Sequence, residues 1–169
     1  ASLIKNAGFA DRVQFRLIGD GPEKSRLQER ARNERLNMIQ FEPYVPRKEI
    51  YGLLQEADAF AITLKDAALF KRYGVSPNKL FDYLASGRAV VFGIDALNNP
   101  VKKSNAGLTV PPEDPGAMAQ AIIQLMEMPL EERWEMGLRG RRYVEEFHDY
   151  RRLADTIETV LSEVTKTSH

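Results

Sequence analysis

Short apolar runs alternate along the chain with longer stretches in which apolar residues recur at helical spacing. The runs are VQFRLIG (13–19), MIQF (38–41), AFAITL (59–64), AVVFGI (89–94) and GLTV (107–110), and each reads as a strand. The intervening stretches 23–35, 47–57 and 77–86 read as helices. In the second, Ile50, Leu53 and Leu54 share a face; in the third, Leu80, Phe81, Leu84 and Ala85 do. Three further helices are predicted at 113–127, 130–147 and 150–165. Met118, Ala121, Ile122, Leu125 and Met126 point inward from the first of these. Leu153, Ile157, Val160, Leu161 and Val164 form one stripe on the last, with Asp149 placed to cap its start. The opening residues, ASLIKNAGFADR, look like the middle of a helix.

Strand and helix in alternation, with strands that look buried, AFAITL apolar throughout, imply an α/β fold. The expected form is a Rossmann-like parallel sheet with right-handed connections, helices on both faces and the last helices appended. Ligands of such sheets bind outside the carboxyl ends of the strands. Three loops leave those ends with suggestive chemistry: GDGP after the first strand, EPYVPRKE after the second and KDAALFKRYGVSPNK after the third.

Composition narrows the possibilities. The 169 residues fit one domain with a single core. Lys plus Arg and Asp plus Glu each number 24, so charge argues for neither a nucleic-acid nor a membrane partner. The chain has no cysteine and only two histidines, His148 and His169, which excludes disulfides, thiolate metal sites and a His-rich metal site. A reducing, cytoplasmic setting follows as the simplest expectation. No apolar run approaches the ~20 residues of a membrane span.

The densest chemistry lies in GVSPNKLFDYLASG (74–87). Ser76 is placed to cap a helix and Pro77 to occupy its first position, where a missing N–H costs nothing. The amides of Asn78 and Lys79 then face outward, and a phosphate gains from them and from the helix dipole. Lys79 adds a full charge. Asp82, one turn on, is placed to accept from hydroxyls. Amides, a lysine and a carboxylate together describe a nucleoside-diphosphate site. The alternative is a capped core helix with Lys79 solvated and Asp82 in a local ion pair, and the residues alone leave both open.

The order LIGDGPEKSRLQ, FEPYVPRKEIYGLLQEADAF, SPNKLFDYLASGRAVV, AGLTVPPEDPGAMAQAI and VEEFHDYRRLADTIETVL resembles the carboxyl-terminal domain of family 4 glycosyltransferases, from about residue 13 to 165. The SPNK variant is similar to bacterial enzymes that build surface polysaccharides and lipid-linked oligosaccharides. The resemblance implies half of a GT-B fold binding a nucleoside-diphosphate sugar, UDP favoured, with retention at the anomeric carbon and no metal or other cofactor.

It also implies site residues. Asp82 matches a ribose-hydroxyl ligand, one carbon shorter than the usual Glu. The family's donor-sugar acid falls at Gly74 and is absent, leaving the backbone around Val75, Ser76, Pro77 and Asn78, with Lys79, as its substitute. Gly19, Asp20 and Gly21 match a turn beside the diphosphate, and the loop at Tyr44 and Val45 matches one whose backbone reads the base. The family's basic Arg and Lys pair precedes residue 1, on a first strand and helix expected to be missing, as is an amino-terminal acceptor domain. The isolated chain is therefore expected to be inactive, its catalytic residues are not named by the sequence, and the whole protein is expected at the inner face of a membrane.

Other residues read more plainly. GDGP alone is an ordinary turn. Arg72, Lys65 and Lys71 read as solvated charges, His148 as a cap or rim residue, Trp134 and Phe147 as core or interface, and RGRRY (139–143) as a wet helix face. A stand-alone nucleotide-binding or regulatory module without catalysis is the competing function. A response-regulator-like domain needs an acidic cluster at a strand end, where only Asp20 stands.

Overall fold

The computed structural model describes residues 1–167. Five strands, β1 (Phe15–Ile18), β2 (Ile39–Glu42), β3 (Ala59–Thr63), β4 (Ala89–Gly93) and β5 (Gly107–Val110), alternate with helices. The helices are α1 (Ser2–Asn6), α2 (Lys24–Asn33), α3 (Arg47–Glu56), α4 (Ala68–Tyr73), α5 (Asn78–Ala85), α6 (Pro100–Ser104), α7 (Pro115–Glu127), α8 (Leu130–Phe147) and α9 (Tyr150–Thr167). Every strand pair is parallel, as the apolar runs predict. The short helices α4 and α6 are additions, too brief to show a period in the sequence.

The expected single sheet is two. β1 pairs only with β2, while β3, β4 and β5 form a separate sheet with β4 in the middle. β1 and β3 thus each keep one edge without a strand partner. The two-stranded unit is joined to the rest through apolar contact, where Ile4 of α1, Met38 and Ala119 of α7 are buried together.

β4 lies between two strands and two layers of helices, and every one of its residues is buried. Alternate side chains serve opposite faces. Val90 and Phe92 pack with Ile62, Leu80, Leu84, Val101 and Ala106 on one side. Ala89 and Val91 pack with Val110, Ala121, Leu125 and Met136 on the other. Burial of each larger side chain contributes about 1.5–3 kcal/mol.

The helix behind the site is held close. Gly137 of α8 lies against the turn after α5, where a methyl group would collide with the Gly87 carbonyl oxygen. α7 starts at Asp114, whose Oδ1 accepts from the Ala117 amide at 2.8 Å. The predicted Asp149 cap forms: its Oδ1 accepts from the Arg151 amide at 2.9 Å. Beyond it, α9 exposes the apolar stripe of Leu153, Ile157, Val160, Leu161 and Val164.

Candidate functional site

The chain approaches α5 from α4 through Gly74, whose φ of 78° and ψ of −174° suit glycine. Val75 follows and is gripped by the Asn98 side chain: Oδ1 accepts from the Val75 N–H at 2.6 Å, and Nδ2 donates to the Val75 carbonyl at 2.8 Å. Pro77 has an extended ψ of 117°, so α5 begins at Asn78. This corrects the expectation that Ser76 caps and Pro77 is the first helical residue. Pro77 itself takes the cap position and has no side-chain acceptor to offer, and no side chain caps the helix.

The consequence is an open helix start. Leu80 donates to the Pro77 carbonyl at 2.9 Å, but the amides of Ser76, Asn78 and Lys79 meet no protein acceptor among the described residues. Ser76, Asn78 and Lys79 are exposed, and Asp82 is half-buried one turn further on. Neither the Lys79 ammonium nor the Asp82 carboxylate has a hydrogen-bonding or ion-pair partner in the described residues, though the Asp82 backbone carbonyl accepts from the Ser86 amide at 3.1 Å, so the local ion pair of the bland alternative does not form. Three donors, a cation and a carboxylate stand ready at one helix end.

The second group of predicted residues is built on the two-stranded sheet. The Gly19 amide donates to the Glu42 carbonyl at 3.2 Å. Asp20 accepts from Lys24 Nζ at 2.7 Å and from the Tyr44 amide at 2.8 Å. Lys24 and then the Tyr44 amide hold its carboxyl below the ordinary carboxylate range. Lys24 also donates to the Glu42 carbonyl at 2.7 Å. Asp20 is therefore a latch tying the loop after β1 to the loop after β2; it fixes Tyr44 and Val45, and its own charge is already used. Gly21 is exposed in the same turn. No hydrogen bond or ion pair joins this group to the α5 group among the described residues.

Lys71 differs from its expected solvated state. It pairs with Asp66 at 3.0 Å and Asp95 at 3.1 Å, and those two carboxylates raise its pKa. With Glu113, which accepts from the Asp66 amide at 3.0 Å, it ties together the loops after β3, β4 and β5. Arg72 lies over the Tyr73 ring, 5.1 Å from its centroid. His148 is a rim residue as expected, its ring 4.5 Å from that of Phe81 on α5. Trp134 and Phe147 are not core residues; both are about half exposed. Asn98 was not singled out by the sequence, because an asparagine in a turn carries no mark of the backbone 23 positions away that it bonds.

No helix among the described residues is long and apolar enough to cross a membrane. Residues 1–128 match the family described as glycosyl transferases group 1. A putative colanic acid biosynthesis glycosyltransferase, WcaL, of Escherichia coli K12 is 27% identical over 149 residues, which is 87% of this chain and 36% of that protein. Among solved structures, sucrose-phosphate synthase from Thermosynechococcus elongatus superposes with a TM-score of 0.76 at 19% identity, over 98% of this chain and 42% of that one. Anabaena HepE in complex with UDP superposes with a TM-score of 0.72 at 17% identity, over 92% of this chain and 44% of that one. The structural likeness bears out the expected α/β fold, parallel sheets flanked by helices, shared with GT-B glycosyltransferases. The chain spans well under half the length of these relatives. With a family match running from residue 1 through β5 and α7, the chain belongs to the group 1 glycosyl transferases.

Proposed function

We propose that the chain is the donor-binding half of a retaining family 4 glycosyltransferase that moves a sugar from a nucleoside-diphosphate sugar, UDP favoured, to a saccharide or lipid-linked acceptor. The observation that carries this reading is the open start of α5, where free amides, an unpaired Lys79 and an unpaired Asp82 meet. The amides and Lys79 take the diphosphate, whose charge grows as the sugar leaves, and fixed donors aimed at developing charge lower a barrier most effectively. Asp82 accepts from the ribose hydroxyls. The loop at Tyr44 and Val45, held by Asp20, offers its backbone to the base. No metal is assigned, and the protein is placed in the cytoplasm, at the inner face of a membrane.

The UDP held by HepE and the colanic acid biosynthesis role assigned to WcaL favour the donor class and the acceptor class. The divided sheet favours a domain that extends beyond these residues. A parallel strand laid between β1 and β3 satisfies both free edges and unites the sheets, in agreement with the first strand that the family resemblance places upstream. An acceptor lobe is proposed to complete the active site, so the chain alone is expected to transfer nothing.

Calorimetry with UDP, 2′-deoxy-UDP and uridine tests the site. Lys79→Ala should weaken UDP by about 1.5 kcal/mol, the low end for a bond to a charged partner because Lys79 is exposed, and leave uridine unchanged. Asp82→Asn should weaken UDP more than its 2′-deoxy form. If Asp82→Asn destabilises the domain and the remaining folded chain keeps the ribose preference unchanged, α5 is only a core helix and the donor binds elsewhere.

A further inference from the structure

The loop before α5 is held from a second element. Phe70 at the middle of α4 accepts from both the Gly74 amide, at 2.9 Å, and the Leu97 amide, at 3.0 Å, so the loop after β4 is fastened to the end of α4. Asn98 is the next residue. On its other side Asn99 caps α6, accepting from the Lys102 amide at 3.0 Å and donating to Thr109 Oγ1 at 3.1 Å. Asn98 is exposed, yet the backbone on both sides of it is anchored, and its carboxamide meets the N–H and C=O of Val75 as a neighbouring strand would. Gly74 makes the room: a Cβ there would collide with Asn98 Oδ1, and its φ of 78° is strained for any other residue.

We propose that Asn98 is a positioning residue for the donor diphosphate: by bonding both backbone groups of Val75 it fixes the segment Gly74–Pro77, so that the amides of Ser76, Asn78 and Lys79 are aligned before the ligand arrives. The proposal rests on the donor-site reading above. The clamp does two things. It occupies the Val75 amide, so that amide takes no part in phosphate binding. It also orders the loop in advance, and the ordering cost is then not charged to ligand binding. Asn98 touches no ligand in this account; it acts through Val75. Because the residue is exposed, its removal should cost the fold little, which separates loss of binding from loss of structure.

The experiment uses the 169-residue chain labelled with ¹⁵N, titrated with UDP and with uridine, together with hydrogen exchange at the Val75 amide. In Asn98→Ala the Val75 amide should exchange faster, UDP affinity should fall about three- to tenfold, the cost of ordering a loop on binding, and uridine affinity should stay within about twofold. Gly74→Ala, which displaces Asn98 from the other side, should give the same split. The double variant should be no worse than the more severe single one, as expected for two changes that break one interaction. Unchanged exchange at Val75 overturns the proposal. So does an equal loss for UDP and uridine, or a UDP affinity that ignores both variants. Lys79→Ala tells the two readings apart. If it weakens UDP while Asn98→Ala does not, the clamp alone is wrong. If it leaves UDP binding intact, or if the wild-type chain binds neither compound, the donor site is not at α5 and the clamp proposal falls with it.

Discussion

β4 is buried along its whole length, whereas β1, also a short apolar strand, leaves Leu17 44% and Ile18 39% exposed. Composition separates them in part, since β1 carries Arg16 where β4 is apolar throughout, and position does the rest. β4 has a strand on each edge and helices on each face. β1 has one strand, β2, and a free edge. A parallel strand is normally covered on every side, and β1 instead holds the place of an edge strand, with Arg16 paired to Glu42 and Glu56. An uncovered apolar edge is also a template for unwanted pairing. Among the described residues the three-stranded sheet has an interior strand, and the two-stranded one has none.

The sharpest way to break this comparison is to cut the same kind of side chain from each sheet. Phe92→Ala in β4 should cost about 3–5 kcal/mol, a large part of the stability of an ordinary domain. Leu17→Ala in β1 should cost less than about 1 kcal/mol, because much of that side chain is already in water. Urea denaturation of both variants measures the difference. Equal losses would mean that the two-stranded unit carries as much of the core as its neighbour.

Next in size is the backing of the three-stranded sheet. Gly137→Ala drives a methyl group into the Gly87 carbonyl and should cost about 1–3 kcal/mol as α8 is pushed off α5. Thermal melting followed by circular dichroism reads it, and a wild-type melting temperature would show that the approach of α8 is not tight.

The latch of the two-stranded unit should behave differently. Asp20→Asn keeps an acceptor for Tyr44 but loses the Lys24 pair. Faster hydrogen exchange at the Tyr44 amide is expected, with the melting temperature almost unmoved. A global loss of stability would contradict the local character of this latch.

The smallest effect is a difference in pH response. Desolvation and then the neighbouring Lys103 lower the His148 pKa below its ordinary 6.5. The folded chain then binds fewer protons than the unfolded one in that window. Stability is complete above pH 6.5 and declines as pH falls through the folded value. Asp20 is also lowered, from an ordinary 3.8, so its contribution is lost only in more acid solution. Melting curves from pH 7.5 to pH 3 should show the α5–α8 side softening first. His148→Gln should flatten the upper part of the slope, and an unchanged slope would remove His148 from this role.

Much of this was legible in the sequence. The strand runs were clear because parallel strands are apolar on both faces, and the long helices because their periods extend over several turns. The site loops were legible because helix starts and strand ends attract recognisable residue types. What was hidden depended on geometry. α4 and α6 are too short for a period. The cap at α5 was misplaced by one position because the backbone angle at Pro77, not residue preference, decides where the helix begins. The division of the sheet was invisible because a run of strand residues does not show which strand lies beside it. Asn98 was hidden because its partner is the backbone of Val75, which has no signature of its own.

The bare stripe on α9 has a consequence for how the chain behaves in solution. Eighteen residues at 1.5 Å each make a rod of about 27 Å. Helices of this size are only marginally stable in water without packing, because nucleation is costly and little else offsets it. The helical content of α9 is thus a gauge of whatever covers Leu153, Ile157, Leu161 and Val164. Unaccompanied, this segment should fray well before the sheets unfold, and a covering surface of matching length should raise the helical signal without touching the start of α5.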